Sequence, residues 1–474
     1  MTPIVGRVPT RIALFNGLGS TAYGIKDNGF SVFLLIFYNQ VLGMDARLVS
    51  LALLIALVFD GLIDPVFGHL SDRTYTRWGR RLPWLYLAPI PLAIAWVALW
   101  SPVGPPSFSY LLLTAICVRV AVGACEVPSA ALVAEITRDY DQRTRILRFR
   151  YLFGWGGGLL MLLLAYGVFL PTSLLAREGY RAFGITGALL MLGSVLISAW
   201  GQHSTIAHYP AKVPEKTTLR GSATEILSCF RQPAFVVVLL AIVAQVTSIG
   251  ITFSISNYLF LFVWQFSAGA YRVYPFLLFA SVIGSFFLVG PLHKRWGKRD
   301  TGIVTALIGA GVGVAPILLR HFGMWSSDGS TAATGSLFGF VFISNMAAVI
   351  SSISIWSMVA DVVEVAEEQT GRRSEGTFAA GAFFASKCST GVGIFVTGFL
   401  LSYAGMPQGA KPGAVDTAVV ERLALSYAGL VAILAIAVAF VLRRFPITRA
   451  DHEARLAALD AAVRADLDAG GAQP

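Results

Sequence analysis

The sequence predicts an all-α membrane protein with twelve transmembrane helices in two pseudo-symmetric six-helix bundles. Three observations carry this. Of 474 residues, 56% are hydrophobic and 13% charged, with mean hydropathy +0.70, whereas a soluble domain is about half apolar and a quarter charged. Apolar stretches recur along the whole chain, and about 20 such residues cross a hydrocarbon core of about 30 Å. A basic, glycine-led loop occurs twice, six spans apart.

The first span, 12–43, is long, is interrupted by Lys26 and Asp27, and has no small-residue cleavage site behind it. It reads as retained and not as a signal peptide. The second, 46–71, contains LVSLALLIALVFDGLIDPVFGHL and runs into the first copy of the loop. Spans follow at 83–101, 107–135, 146–171 and 180–200. The fifth holds FGWGGGLL, which has no following Lys-Ser/Thr; its glycines predict close helix packing and not a phosphate loop. The longest polar connection comes next, giving an N-terminal bundle over 1–202, a linker over 203–231 and a C-terminal bundle over 232–443. The C-terminal spans are 233–265, 270–291, 301–320, 332–361, 375–404 and 419–442. The tail, 444–474, carries Leu456, Leu459, Val463 and Leu467 at helical spacing.

Basic connections resist translocation, so their distribution orients the chain. With the N-terminus inside, 26 of the 36 lysines and arginines fall on the cytoplasmic side and 7 on the other. Both termini are therefore expected in the cytoplasm, of a bacterial cell whose inner membrane holds the chain. The formal charge of +10 is dealt among short loops and not gathered on one soluble face, which argues against nucleic acid and for anionic lipid neighbours. No obligate protein partner is evident. The four cysteines, Cys117, Cys125, Cys229 and Cys388, are unevenly spaced, so neither a disulfide framework nor a zinc site is expected.

The loop after span 2 reads GHLSDRTYTRWGRR from Gly68 to Arg81, and the loop after span 8 reads GPLHKRWGKR from Gly290 to Arg299. Weak internal symmetry of this kind is what duplicated carrier halves leave behind. The pattern resembles the major facilitator superfamily, whose loop motif is matched at Gly68, Asp72, Arg73 and Arg77. A gating role for Asp72, Arg73 and Arg77 stands beside the plainer one of setting topology.

Ionisable groups at mid-span cost roughly 2.5–3.5 kcal/mol each and are functional candidates by default. Lys26 and Asp27 in span 1, Asp60 and Asp64 in span 2, Arg119 and Glu126 in span 4, and Lys387 in span 11 all fall there. Asp60 and Asp64 are four residues apart, so both carboxylates lie on one helix face. That face needs a positive partner or a bound proton or sodium ion. Glu126, before the helix-disturbing Pro128, offers a third oxygen group, and hard cations favour such ligands. The plain alternative is a static cluster neutralised by Arg119 and Lys387.

DGLIDPVFGHLSDRTYTRWGRRLPW resembles the signature of the glycoside-pentoside-hexuronide:cation symporters. KD in span 1, EVPSAALVAEITRDYDQRTRILRFRYLFG and WSMVADVVEVAEEQTGRRSEG agree with it in order across both halves. The resemblance implies that Asp60, Asp64 and Glu126 bind the coupling cation, with sodium as the possible metal and no other cofactor. It places Asp27, Arg150 and Lys387 in substrate binding or its coupling, with Lys26 beside Asp27. It also implies that Asp361 and Glu364 belong to an inner gate. Two positions depart from the pattern of extra oxygen ligands, Ile63 and Gly123, and Glu stands for Asp at 126; these favour a proton. Ala130 replaces a sugar-stacking tryptophan, leaving Trp356 as an aromatic wall. Arg119 is an added cation, which points to an anionic solute such as a uronate.

The expected function is cation-coupled symport of a sugar, glycoside or uronate-like solute by alternating access. A carrier of an amphiphile such as a lysolipid is the alternative. An enzyme is not expected, because the spans hold no His/Cys cluster, no His-Glu-x-x-His and no Ser/His pairing.

Overall fold

The structure, a computed structural model, describes residues 7–446 apart from 138, 172, 208–228, 326–328 and 371–374. Most of the expected linker and nearly all of the tail, with its helical leucine spacing, lie outside the described residues. Twelve helical segments run through the rest: α1 (residues 10–41), α2 (Ala46–Asp72), α3 (Leu82–Trp100), α4 (Phe108–Ile136), α5 (residues 140–169), α6 (Arg177–Ile206), α7 (Pro233–Val263), α8 (residues 268–296), α9 (residues 298–321), α10 (Thr331–Thr370), α11 (Glu375–Ala404) and α12 (Thr417–Leu442).

Among the described residues, ten helices are long and apolar enough to cross a membrane, 268–321 counting as one. The difference from twelve has two causes. The first span is divided by a turn at Gly19 and Ser20 and by π-turns over Gly29–Phe33 and Phe37–Val41. The eighth and ninth run into one another through Gly297, whose φ of 75° and ψ of 169° break the helix. Such a left-handed conformation favours glycine. Gly79, the matching residue of the first loop, has φ 84°.

Starts of helices are fixed by side-chain caps that satisfy otherwise orphaned backbone N–H groups. Asp45 accepts from the Arg47 amide at 2.8 Å to open α2, and Asp416 from the Ala418 amide at 3.0 Å to open α12. Ser107 and Asp139 do the same for α4 and α5. Pro65, next to Asp64 in α2, and Pro128, two residues after Glu126 in α4, interrupt the backbone ladder beside the mid-span acids.

Glycines decide which helices touch. A Cβ on Gly157 would lie 2.5 Å from the Thr21 carbonyl oxygen, and those on Gly24 and Gly158 would meet Gly154 and Asn28. The glycine run of span 5 therefore seats α1 against α5. Between the halves, a Cβ on Gly391 of α11 would lie 3.1 Å from Leu54 and Leu57 of α2, and one on Gly398 would lie 2.6 Å from the Ala46 carbonyl. With no side chain of their own, these two glycines let α11 pack directly on Ser50, Leu54 and Leu57 of α2, which brings Lys387, one turn from Gly391, within reach of α2.

The halves are sealed at the end away from the termini. Asn257 Nδ2 donates to the Val32 carbonyl at 2.9 Å, Tyr166 donates to Asn257 Oδ1 at 2.8 Å, and Tyr258 donates to Asn39 Oδ1 at 2.9 Å. Gln40 bonds Pro407 and Ala410 at 3.0 and 2.9 Å. Among the described residues, no hydrogen bond or ion pair joins the halves on the terminus side of Lys387. Asp27, at mid-depth, is 63% exposed, so open space reaches the middle of the molecule.

Candidate functional site

Charged side chains from four helices meet at mid-depth. Lys387 of α11 extends into the other half, its Nζ 2.5 Å from Asp64 Oδ2 and 3.2 Å from Asp60 Oδ2. Asp60 is 1% exposed and has a second cation, Arg119 Nη1 of α4, at 3.4 Å. The Arg119 guanidinium lies 4.1 Å from the centre of the Phe30 ring, an arrangement that offsets part of its desolvation. Lys26, equally buried, bonds Asp27 at 2.9 Å and lies 3.7 Å from Glu126.

Four carboxylates, Asp27, Asp60, Asp64 and Glu126, thus face three cations, Lys26, Arg119 and Lys387. With all ionised, the cluster is one positive charge short. The three expected cation ligands do not converge on one point in this state: Lys387 stands against Asp60 and Asp64, while Glu126 turns to Lys26. Among the described residues, no group of three acidic or metal-ligating side chains is gathered for a metal. Ammonium groups stand directly against these carboxylates instead.

Asp60 and Asp64 differ in what holds them. Arg119 belongs to the same half as Asp60 and stays with it if the halves part. Asp64 relies on Lys387 from the opposite half, and its Oδ1 is buried with no hydrogen-bond partner. That oxygen faces Gly123, where a Cβ would lie 3.3 Å from it and 3.2 Å from Phe67.

The other expected residues fall nearby or apart. Arg150 of α5 donates to Ser129 Oγ at 2.7 Å and to Asn16 Oδ1 at 3.2 Å, and Asn16 donates to Gln202 at 3.0 Å. It ties four helices of the first half together beside the cluster. Arg119, expected to meet an anionic solute, is enclosed at 3% exposure and directs its charge at Asp60. Trp356 of α10 packs on Phe383 of α11, ring centres 5.1 Å apart.

The repeated loops make matching contacts. After Gly79, Arg80 and Arg81 donate to Glu135 of α4 at 2.7 and 3.0 Å, and Arg81 also pairs with Asp72. After Gly297, Lys298 donates to Asp361 of α10 at 2.5 Å. Arg77 lies over Trp78, Arg73 caps α2, and Glu364 lies one turn beyond Asp361. Sequence reasoning missed Glu135 and Phe30. The first was legible as the acid that closes span 4; the second carries no signal among so many apolar aromatics.

Two helical halves packed around a buried, charge-bearing centre define a membrane carrier. The chain belongs to the MFS/sugar transport protein family, whose model matches residues 15–449. A protein named an uncharacterized symporter of Synechocystis sp. is 33% identical over 196 residues, 39% of this chain and 35% of that one. The inner membrane symporter YicJ of Escherichia coli is 24% identical over 83% of both chains. A putative sulfoquinovose importer of Salmonella typhimurium is 25% identical over 81% of this chain and 80% of its own. Among solved structures, the D-xylose-proton symporter superposes with a TM-score of 0.65 over 92% of this chain and 97% of that one, at 16% identity. The resemblance drawn from the span 2 signature thus holds at the level of family and fold.

Proposed function

We propose that the chain couples entry of one cation to entry of a sugar, glycoside or uronate-like solute across a bacterial inner membrane, with both termini cytoplasmic. On that orientation the structure is the inward-open state. The single observation that carries the reading is Lys387 of one half clasping Asp60 and Asp64 of the other. When the halves rock to expose the centre to the outside, Lys387 moves with its own half. Asp60 keeps Arg119, whereas Asp64 is left without a counter-charge, and a carboxylate at mid-membrane is costly when unpaired.

A coupling cation at Asp64 fills that place. A proton suits the site better than sodium, because Gly123 supplies no oxygen ligand beside the orphaned Asp64 oxygen and hard cations need several. Binding of the cation and of the solute favour each other, since both stabilise the loaded centre. The relative named for sulfoquinovose accords with a solute that joins a sugar ring to a negative charge. No bond of the solute is broken, the reaction being movement alone, and membrane lipids are the chain's neighbours.

Uptake into proteoliposomes, screened over uronates, neutral glycosides and lysolipids under separately imposed proton and sodium gradients, tests this. A proton gradient should drive accumulation of a sugar-type solute, and Asp64→Asn should abolish accumulation while retaining exchange of internal for external solute. Accumulation retained in Asp64→Asn, or solute movement confined to lysolipids, overturns the reading.

A further inference from the structure

A second cavity, of about 170 Å³, lies wholly within the C-terminal half. Residues of α7, α8, α9, α10 and α12 line it, and none comes from the first half or from the central charge cluster. An engineered apolar cavity of about 150 Å³ admits a benzene ring, so this one admits a single six-membered ring.

Its walls are of two kinds. On α7, Gln245, Ser248, Thr252 and Ser256 recur every three or four residues and form one polar face, about 16 Å long at 1.5 Å per residue. Ser344 and Asn345 of α10 and Tyr427 of α12 add to it. Aromatic rings of Phe260, Tyr274 and Phe340 stand among the remaining lining residues. No carboxylate, ammonium or guanidinium contributes.

The polar atoms left over are mostly acceptors. Thr252 directs its proton to the Ser248 carbonyl at 2.9 Å and Ser344 directs its own to the Gly309 carbonyl at 2.7 Å, while Tyr427 donates to Thr252 at 3.3 Å. Asn345 donates to Ser281 at 2.6 Å, and Gln245 reaches Ala348 and Ser352 only at 3.4 and 3.5 Å. Among the described residues, the side-chain carbonyl oxygens of Gln245 and Asn345 accept no hydrogen bond. These acceptors stand on two different helices and are not gathered on a point, which suits several ligand hydroxyls and not one ion.

We infer that this cavity binds the ring of an uncharged monosaccharide or simple glycoside, with hydroxyls on the α7 and α10 acceptors and C–H faces on the aromatic rings. A few well-placed polar groups in an otherwise apolar, aromatic pocket are the usual composition of a ligand site. The site is separate from the central cluster and stands whether or not the proposed coupling is correct.

Equilibrium dialysis of the purified full-length chain against labelled D-xylose, methyl β-D-glucoside and methyl β-D-galactoside tests it, with D-glucuronate as the charged comparator. Binding is measured in the Asp64→Asn background, where central coupling is disabled. At least one neutral sugar should bind, glucuronate should bind at least tenfold more weakly, and Gln245→Leu or Asn345→Leu should weaken the neutral sugar at least tenfold. Thr252→Val, nearly isosteric, serves where either larger change prevents folding and should weaken binding several-fold. No saturable binding by any neutral sugar, or binding indifferent to all three substitutions, overturns the inference, the cavity then holding water only.

Discussion

Asp60 and Asp64 carry the same carboxylate one helical turn apart, yet their surroundings assign them different tasks. Asp60→Asn leaves the Arg119 charge enclosed without its partner, and breaking a buried pair costs about 3 kcal/mol or more. The variant should therefore melt markedly lower than wild type, whereas Asp64→Asn, whose side chain is more open, should melt nearly as wild type and lose coupling only. Thermal unfolding of both in detergent checks the contrast; equal melting shifts contradict it. Gly123→Ser places a hydroxyl beside the orphaned Asp64 oxygen. The ratio of sodium-driven to proton-driven uptake should rise, and an unchanged ratio removes Gly123 from cation choice. The sequence made the two aspartates legible, because carboxylates at i and i+4 in an apolar run are costly and stand out. It could not rank them, since their difference comes from Arg119 and Lys387, brought in from spans distant in sequence.

At the scale of elements, hydropathy located all twelve segments, and the errors lie where backbone geometry and not polarity decides. α10 continues past the expected end at 361 to Thr370, because helical hydrogen bonding is local and carries on through polar residues. The turn in α1 and its π-turns leave hydropathy unchanged and were invisible for that reason. The loop repeat, by contrast, was readable and has a physical content: a left-handed glycine followed by a base that grips the fourth helix of its own half. Gly297→Ala should strain the backbone by about 1–3 kcal/mol and loosen Lys298 from Asp361, detectable as faster hydrogen exchange at the end of α10. Gly398→Val forces a side chain against the Ala46 carbonyl; overpacking costs about 1–3 kcal/mol and should separate α11 from α2, lowering transport as well as melting temperature.

Among the described residues, the hydrogen bonds between the halves lie at the end away from the termini and at the central cluster. Cysteines placed at Val32 and Asn257 and bridged by a short bifunctional thiol reagent should freeze this state. Transport should stop on bridging and return when a cleavable bridge is cut, with the four natural cysteines replaced beforehand; continued turnover of the bridged protein means that this end does not open. The two-half organisation was legible from the repeated loop, but the state was not, because a sequence encodes both arrangements of the same halves.

The glycine contact between α2 and α11 has a mechanical consequence. Gly398 is 6 residues from the end of α11 at Ala404 and 23 from its start at Glu375, so a rotation about that contact works on unequal arms. A slight parting of the short arm sweeps the long one through a wide arc. The carrier can then seal its broad vestibule by barely unlatching the narrow side, and a drug-sized wedge at the short arm should block motion far more effectively than one of equal size at the long arm.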